Sequence, residues 1–193
     1  MGLTHTHVIS AATTWLVVTV AGAVGVAQAP PRFGFGRPAT PQEIAAIDID
    51  VMPDGRGLPA GRGTAAEGAV IYAVKCAQCH GKTGKEGPND ILVGREPRIG
   101  FPFAQNPKLP HTIGNYWPYA TTVFDYVRRA MPPTAPGSLT DDEVYALTAF
   151  LLNANELIPA NAVMDRTTLA GVAMPARQYF VPESRPTPRK PRP

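Results

Sequence analysis

The chain has 193 residues, of which 44% are hydrophobic and 17% are charged, and its formal net charge is +3 at pH 7. Its two cysteines exclude a disulfide-rich scaffold and any zinc or iron–sulfur site with four thiolates from this chain. Basic and acidic residues are equal in number from Arg32 to Val181, so the excess positive charge lies in residues 182–193. A neutral body with a basic tail argues against a broad nucleic-acid surface.

The chain begins with a segment that is typical of an export signal. Asp, Glu, Lys and Arg are absent before Arg32, residues 8–27 are apolar or small, and Ala27-Gln28-Ala29 fits a small-x-small cleavage site. We therefore predict a signal peptide over residues 1–29. An uncleaved membrane anchor is the alternative, because about 20 apolar residues can span a bilayer. Both alternatives place the rest of the chain in the periplasm, which is an oxidising compartment.

Residues 30–63 follow as an N-terminal arm that is rich in Pro and Gly and contains one short candidate helix, Pro41–Ile47. The capping box Thr64-Ala65-Ala66-Glu67 then predicts the start of a helix that runs to about Cys76. Gly68 lies on this helix and would let another helix approach closely. We predict that the folded domain begins here and extends over residues 64–153.

Cys76-Ala77-Gln78-Cys79-His80 is a C-x-x-C-H motif and the most specific feature of the sequence. Two thiols at this spacing can each bond to one vinyl group of a haem, and His80 then lies under the iron as its proximal ligand. The alternatives are a disulfide, half of a zinc site and a redox dithiol. A zinc site would lack its other thiol ligands, and a redox dithiol usually belongs to a βαβ pattern, which we do not find. The motif therefore predicts one covalently bound haem c.

A polar loop follows the motif, and Gly87-Pro88-Asn89 predicts a turn after it. A backbone carbonyl in this turn could accept the Nδ1 proton of His80, which would fix the imidazole ring and raise its basicity toward iron. Pro88 is therefore a candidate for the haem environment. An ordinary turn proline is an equally good interpretation.

Few residues can supply a second axial ligand to the haem iron. After removal of the signal the candidates are Met52, Met131, Met164, Met174 and His111. Met131 follows a predicted helix, Thr122–Ala130, with Thr122 and Asp125 placed as its cap, and Pro132-Pro133 then imposes an extended backbone. This position on a stiff loop between two helices favours Met131 as the distal ligand. His111 is the second choice, and a core methionine is the alternative role for Met131.

The last predicted helix is marked by Leu139-Thr140-Asp141-Asp142-Glu143-Val144, which combines a capping box with a hydrophobic staple. Its apolar and small residues form one broad face, made of Val144, Tyr145, Leu147, Thr148, Ala149, Leu151 and Leu152. We expect this helix to cross the helix that carries Gly68 and to close the haem pocket.

Two segments follow the predicted domain. Residues 154–181 form a C-terminal arm with little periodicity, and residues 182–193 form a basic, Pro-rich tail. The tail has the composition of a disordered segment. Both arms contain too many apolar residues for plain linkers, so we predict that they wrap the haem domain or a partner subunit.

Several other side chains are candidates for the haem environment. Tyr116, Trp117 and Tyr119 could line the crevice, with a ring N–H or O–H group reaching a propionate, and ordinary core aromatics are an equally good interpretation. Arg128 and Arg129 could contact a propionate or an acidic partner. Solvated charges on a helix are the more common role for such residues.

The C-x-x-C-H motif, the Gly-Pro turn, the Met-Pro loop and the terminal amphipathic helix together resemble class I cytochrome c, over about Thr64–Asn153. This resemblance implies an all-α fold around one covalent haem, with the two arms as extensions. A closer resemblance lies in the runs Thr112–Thr122, Phe124–Tyr126, Arg128–Pro132, Ser138–Leu147, Val163–Asp165 and Met174–Pro175. These runs are similar to the cytochrome subunit of sulfane and sulfite dehydrogenases of the sulfur-oxidation (Sox) pathway.

In that family a molybdenum subunit oxidises the sulfur substrate and passes electrons to the haem. The resemblance implies that Cys76, Cys79, His80 and Met131 form the haem site of this chain. Some relatives have a second haem domain, whereas this chain has one C-x-x-C-H motif and resembles the short, single-haem form. We therefore expect a periplasmic electron-transfer subunit whose partners are a molybdenum dehydrogenase and an electron acceptor leading to the respiratory chain.

Two other functions remain open from the sequence. A free soluble monohaem cytochrome could serve several dehydrogenases, and it would predict little order in the two arms. Less favoured is a haem enzyme or gas sensor with an open iron coordination site. His111 is the one histidine left after the leader and the motif, and no nucleophile accompanies it, so we place the sulfur chemistry on another chain.

Overall fold

A computed structural model describes residues 35–181 together with Gly2. Residues 38–181 of the described chain belong to one compact unit. The tail at 182–193, most of the predicted signal segment and the first residues of the N-terminal arm lie outside the described residues. Among residues 35–181, no helix has the length and apolar character needed to cross a membrane.

The described part of the chain is mostly helical. The α-helices are α1 (Pro41–Ile47), α2 (Ala65–Lys75), α3 (Ala77–His80), α4 (Ala120–Ala130) and α5 (Asp141–Ala154). Two short strands, β1 (Arg62–Thr64) and β2 (Val163–Asp165), form an antiparallel pair. Three short 3₁₀ segments cover Pro102–Ala104, Leu169–Gly171 and Pro175–Tyr179.

Three helices begin at a threonine that forms a capping box with a glutamate three residues later. The pairs are Thr40 with Glu43, Thr64 with Glu67, and Thr140 with Glu143. Each threonine hydroxyl accepts the backbone N–H of the glutamate, and each carboxylate accepts the backbone N–H of the threonine. The predicted starts of α2 and α5, and the bounds of α1, are therefore confirmed.

Helices α2 and α5 cross at a glycine. A Cβ atom at Gly68 would overlap the carbonyl oxygen of Ala146 and lie 2.7 Å from Cβ of Phe150. A Cβ atom at Gly63, in β1, would overlap the backbone of the same alanine. Helix α5 therefore rests directly on the backbone of α2 and β1, which confirms the predicted close approach at Gly68.

Helix α5 forms the centre of the hydrophobic core. All seven residues of its predicted face are buried, and so is Ala146 at the crossing with α2. Leu139 and Val144, the two residues of the predicted staple, both belong to the core. Lys75 near the end of α2 pairs with Glu143 in the first turn of α5 at 2.6 Å, which adds an ion pair to the same helix contact.

The predicted start of α4 was wrong by two residues. The helix begins at Ala120 after an extended Tyr119, and no side chain caps its N-terminus. Asp125, which we expected to help cap the helix, instead accepts the backbone N–H of Val51 at 3.2 Å and pairs with Arg129. The N-terminal arm, which the local pattern could not place, therefore uses the polar group that we had assigned to the cap.

The N-terminal arm from residue 49 onward and the C-terminal arm contact the helical domain and pair with each other through the sheet, whereas residues 35–48 are exposed. In the strand register Arg62 lies opposite Asp165, Gly63 opposite Met164 and Thr64 opposite Val163. The sheet is an addition to the all-α prediction. Buried residues from both arms join the central core: Val51, Leu58, Met164, Leu169 and Met174.

Asp165, at the end of β2, stabilises the turn that follows. Its Oδ1 accepts the backbone N–H and the hydroxyl of Thr167, both at 2.7 Å, and the N–H of Thr168 at 3.0 Å. These bonds lower the pKa of Asp165 to about 2. A lowered pKa means that the stabilisation is complete above the pKa of the unfolded chain and is lost as the pH falls toward 2.

We therefore expect Thr167→Ala to raise the pKa of Asp165, because the variant removes one of the hydrogen bonds to its charged form. An NMR titration of the Asp165 carboxyl carbon in the wild type and the variant measures this change. A titration midpoint that is the same in both proteins would contradict the assignment of the shift to this turn.

Candidate functional site

A cavity of about 220 Å³ lies beside the core and is open to solvent. Its wall is supplied by α2, α3, α4, α5 and the loops around residues 90, 111–117 and 131–134. The side chains predicted for the haem site that reach this wall are Cys76, Cys79, His80, Trp117 and Met131. The cavity thus brings together residues that are separated by more than half of the predicted domain.

The two cysteines are positioned by a break between two helices. Cys76 ends α2 and precedes α3, and the backbone N–H groups of Cys79 and His80 both donate to its carbonyl oxygen, at 3.1 and 3.0 Å. This tight turn places both thiols and the imidazole on the same cavity wall. Both cysteines are free thiols in the structure and both are partly buried.

The protonation state of Cys76 bears on the alternative of a redox dithiol. Burial raises the pKa of its thiol to about 11. A reactive dithiol requires the opposite shift, since the thiolate is the nucleophile and is favoured by a lowered pKa. The environment of Cys76 therefore argues against a redox dithiol.

His80 is oriented by a backbone carbonyl, as we expected, but the carbonyl belongs to another residue. Its Nδ1 lies 2.8 Å from the carbonyl oxygen of Asp90, just beyond the predicted Gly87-Pro88-Asn89 turn. The turn passes close to the motif instead, where Asn89 donates its backbone N–H to the carbonyl of Cys79 at 3.0 Å. A Cβ atom at Gly87 would overlap the backbone of Cys79 and His80, so glycine is required there.

Tyr72 supports the loop that follows His80. It lies on α2, lines the cavity and donates its hydroxyl to the carbonyl of Gly81 at 3.0 Å. Burial raises the pKa of its phenol to about 12, so the group stays protonated and acts as a donor. Its ring also contacts that of Phe150 on α5, with centroids 4.8 Å apart.

The structure reduces the five candidates for the second axial ligand to two. Met131 and His111 line the cavity. Met52 does not line it and is 43% exposed, while Met164 and Met174 are buried in the arms. Backbone geometry explains the position of Met131. This residue follows the last turn of α4, and its own backbone is extended immediately before Pro132-Pro133.

The two remaining candidates differ in their surroundings. Met131 is partly buried and packs against the hydrophobic core. His111 is exposed and stacks on Tyr116, with ring centroids 4.0 Å apart and planes inclined by 8°. The packed position of Met131 suits a ligand inside the cavity, whereas His111 lies at its rim.

Several predicted members of the haem environment do not reach the cavity wall. Pro88 is exposed on the turn. Tyr116 lies behind His111 within a cluster of aromatic rings that includes Phe101 and Phe103, and Tyr119 lies under the guanidinium of Arg177. These rings contact other side chains rather than the cavity.

The two arginines of α4 are likewise held away from the cavity. Arg128 pairs with Asp141 at 3.1 Å and donates to the carbonyl of Ile49 at 3.3 Å. Arg129 pairs with Asp50 and Asp125. Both side chains therefore bind the N-terminal arm or the start of α5, which no local pattern indicated.

Seven aliphatic side chains that were not predicted individually as haem-site residues also line the cavity. They are Leu92, Ile113, Val123, Val127, Leu139, Leu147 and Leu151. For the residues on α4 and α5, the signal in the sequence was the amphipathic pattern of the helix, which does not distinguish the wall of a cavity from a closed core.

These residues fit a haem c. The two thiols are free and face one cavity, His80 has its Nδ1 engaged by a carbonyl and leaves Nε2 available, and Met131 offers a thioether from another element. The largely apolar wall suits the macrocycle. In this arrangement Cys76 and Cys79 would hold the group covalently, and His80 would be one axial ligand.

Comparison with known proteins gives two matches. The family described as cytochrome C oxidase, cbb3-type, subunit III, matches residues 63–151. A chain in the crystal structure of the sulfane dehydrogenase SoxCD from Paracoccus pantotrophus is 39% identical, over 79% of this chain and 73% of that chain, with a TM-score of 0.68. Among curated proteins no sequence matches at a significant level.

Proposed function

This chain belongs to the cytochrome c family, and we propose that it is the electron-transfer subunit of an exported molybdenum-containing sulfane or sulfite dehydrogenase. The single observation that carries the partnership is the 39% identity to a chain of the sulfane dehydrogenase SoxCD. In this proposal the subunit accepts electrons in the periplasm from the dehydrogenase and passes them to the respiratory chain.

The residues of this chain divide the work of an electron-transfer site among them. Cys76 and Cys79 hold the haem, which when bound supplies a one-electron couple. His80 would bind the iron as its proximal ligand, with its ring fixed at Nδ1 by the carbonyl of Asp90. Met131 would supply the second ligand from the loop after α4, and the apolar side chains of α4 and α5 would contact the macrocycle.

The chain itself offers little for sulfur chemistry. The haem site uses both cysteines, so none is left to ligate molybdenum. Within residues 35–181, no group of three or more His, Cys, Asp or Glu side chains could hold a metal ion. These features support a division of labour in which another subunit oxidises the sulfur substrate.

Co-purification tests the partnership. A tagged full-length chain, expressed in its own host and isolated under gentle conditions, is expected to bring down a second protein in a fixed ratio together with molybdenum. Elemental analysis of the eluate measures its molybdenum content, and the absorption spectrum measures its haem content. The untagged strain is the control for carry-over.

Reduction of the haem in the isolated complex, on addition of sulfite or a sulfane compound, would identify the complex as a sulfur dehydrogenase. A chain that elutes alone, with its haem but without molybdenum, would overturn the partnership and favour the free cytochrome. Residues 49–63 and the described part of the C-terminal arm pack on the domain, whereas the free-cytochrome alternative predicts little order in the arms.

Met131 distinguishes an electron-transfer site from an open haem site. We expect Met131→Ala to make the reduced protein bind carbon monoxide rapidly, because the variant frees the sixth coordination position. The reduction potential is expected to fall by on the order of 0.1 V, since a thioether ligand favours the reduced iron. Flash photolysis and spectroelectrochemistry measure the two changes.

Two controls accompany this variant. Met52→Ala changes an exposed methionine outside the cavity and should leave both properties unchanged. His111→Ala tests the rim residue that also reaches the cavity, and it should leave carbon monoxide binding slow. Rapid binding to the wild type, at the rate of Met131→Ala, would remove Met131 as a ligand and favour the open-site alternative.

A further inference from the structure

The orientation of His80 depends on a segment without regular secondary structure. The carbonyl of Asp90, which holds Nδ1 of His80 at 2.8 Å, lies between the loop at residues 81–87 and the segment at residues 92–94. The fixed position of a carbonyl in such a segment requires hydrogen bonds that hold the backbone on both sides. Before Asp90, the backbone N–H of Asn89 donates to the carbonyl of Cys79 at 3.0 Å, and after it the N–H groups of Leu92 and Val93 donate to the carbonyl of Gly84, at 2.8 and 3.1 Å.

The segment that follows Asp90 is also held by the side chain of Asn155. Its Oδ1 accepts the backbone N–H of Gly94 at 2.9 Å, and its Nδ2 donates to the carbonyl of Leu92 at 3.1 Å. The same Nδ2 donates to the carbonyl of Leu151 in the last turn of α5, at 2.8 Å. One amide group therefore joins the end of α5 to the segment that begins two residues after Asp90.

Asn155 has little freedom to move. It is the C-terminal cap of α5, its backbone N–H donates to the carbonyl of Leu151, and its side chain is buried, with 1% of the residue exposed. A Cβ atom at Gly114 would lie 2.5 Å from Oδ1 of Asn155, so the neighbouring backbone packs directly against the amide. A group held this closely transmits the position of α5 to residues 92–94.

We propose that Asn155 is a positioning residue for the proximal histidine, acting through Leu92 and the carbonyl of Asp90 on Nδ1 of His80. The inference rests on the ligation of haem by His80 in the proposed function. A firm Nδ1–H···O bond makes the imidazole a stronger donor to iron and thereby favours the oxidised state. Loss of the Asn155 contacts weakens that bond and raises the reduction potential.

The test uses the full-length holoprotein and two readouts other than electron-transfer activity. In Asn155→Ala we expect a higher reduction potential and a faster deuterium exchange of the His80 Nδ1–H in the reduced protein. Asn155→Asp keeps the acceptor toward Gly94 but places an oxygen against the carbonyls of Leu92 and Leu151. It should shift both readouts in the same direction, and it serves as the second variant if Asn155→Ala does not fold.

Two controls separate positioning from a general loss of stability. Asn153→Ala removes a nearby amide that donates to the carbonyl of Ile158 and makes no described bond to residues 92–94. Leu169→Ala removes a fully buried side chain in the C-terminal arm and destabilises the fold at a distance from His80. Neither control should move the potential or the exchange rate.

Unchanged readouts in a folded Asn155 variant, or equal shifts in Leu169→Ala, would overturn the positioning role while leaving the proposed function intact. A wild-type protein without covalent haem would overturn the proposed function together with this inference. A chain that fails to bind a molybdenum partner but shows the expected shifts would overturn the partnership alone.

Discussion

Replacement of both Cys76 and Cys79 by alanine is expected to abolish covalent haem attachment completely. The two thiols lie three positions apart on one cavity wall, and in the proposed site each forms one thioether bond. The single variants Cys76→Ala and Cys79→Ala should each retain a haem through the remaining bond. Mass spectrometry of the denatured protein and haem staining after denaturing electrophoresis measure the attachment.

The double variant is also expected to lose stability. A group that binds the folded chain and not the unfolded chain stabilises the fold, so its loss lowers the free energy of unfolding. The apolar wall formed by Val123, Val127, Leu147 and Leu151 would then face solvent. Thermal unfolding, followed by circular dichroism, measures this loss.

Thr134→Ala is the matched control for the cysteine variants, because Thr134 also lines the cavity and supplies no predicted bond. It should keep the haem and the unfolding temperature of the wild type. Covalent haem in the double cysteine variant would contradict the assignment of both thioether bonds. A wild-type chain with a disulfide between Cys76 and Cys79 and no haem would contradict the haem site itself.

Gly68→Ala is expected to destabilise the protein even though alanine is the better helix former. Propensity alone would favour alanine by about 1 kcal/mol in a helix interior. The added Cβ atom, however, would overlap the carbonyl oxygen of Ala146 and meet the side chain of Phe150, so α2 and α5 must separate. Overpacking of this kind lowers the free energy of unfolding by about 1–3 kcal/mol. The larger side chain of Gly68→Leu should lower the free energy of unfolding by more than that range and prevent haem incorporation.

Two further variants test the cause of this destabilisation. Ala73→Leu places a larger side chain on the exposed face of α2 and should change the free energy of unfolding by less than about 0.5 kcal/mol. Ala146→Gly should not rescue Gly68→Ala, because the overlap is with a backbone carbonyl that glycine also carries. Urea unfolding measures each change. A Gly68→Ala protein more stable than the wild type would contradict the close crossing.

Local signals in the sequence predicted much of the scaffold. The capping boxes at Thr64 and Thr140 marked the starts of α2 and α5, because the two hydrogen bonds of each box join residues only three positions apart. The C-x-x-C-H motif was also readable from the local sequence, because its members lie within one turn of backbone. Gly68 predicted the helix crossing because the absence of a side chain has one structural use on a buried helix face.

The structure added what depends on contacts between distant residues. The start of α4 was misplaced because the backbone of Val51 takes the carboxylate of Asp125 that a local interpretation gave to the cap. Arg128 and Tyr116 were assigned to the haem environment by their residue types. An ion pair with Asp141 and a stack on His111 place them elsewhere.

The sequence by itself predicted the cofactor class and the residues that would hold it, and it determined the main helices, since short-range hydrogen bonds and fixed spacings encode them. The tertiary structure decided which carbonyl holds His80 and which of five candidates for the distal ligand reach the cavity. It also decided that the arms pair through β1 and β2. The physical reason is that these choices depend on which distant segments pack together, and a hydrogen bond between residues 90 and 80, or 155 and 92, has no signature in either local sequence.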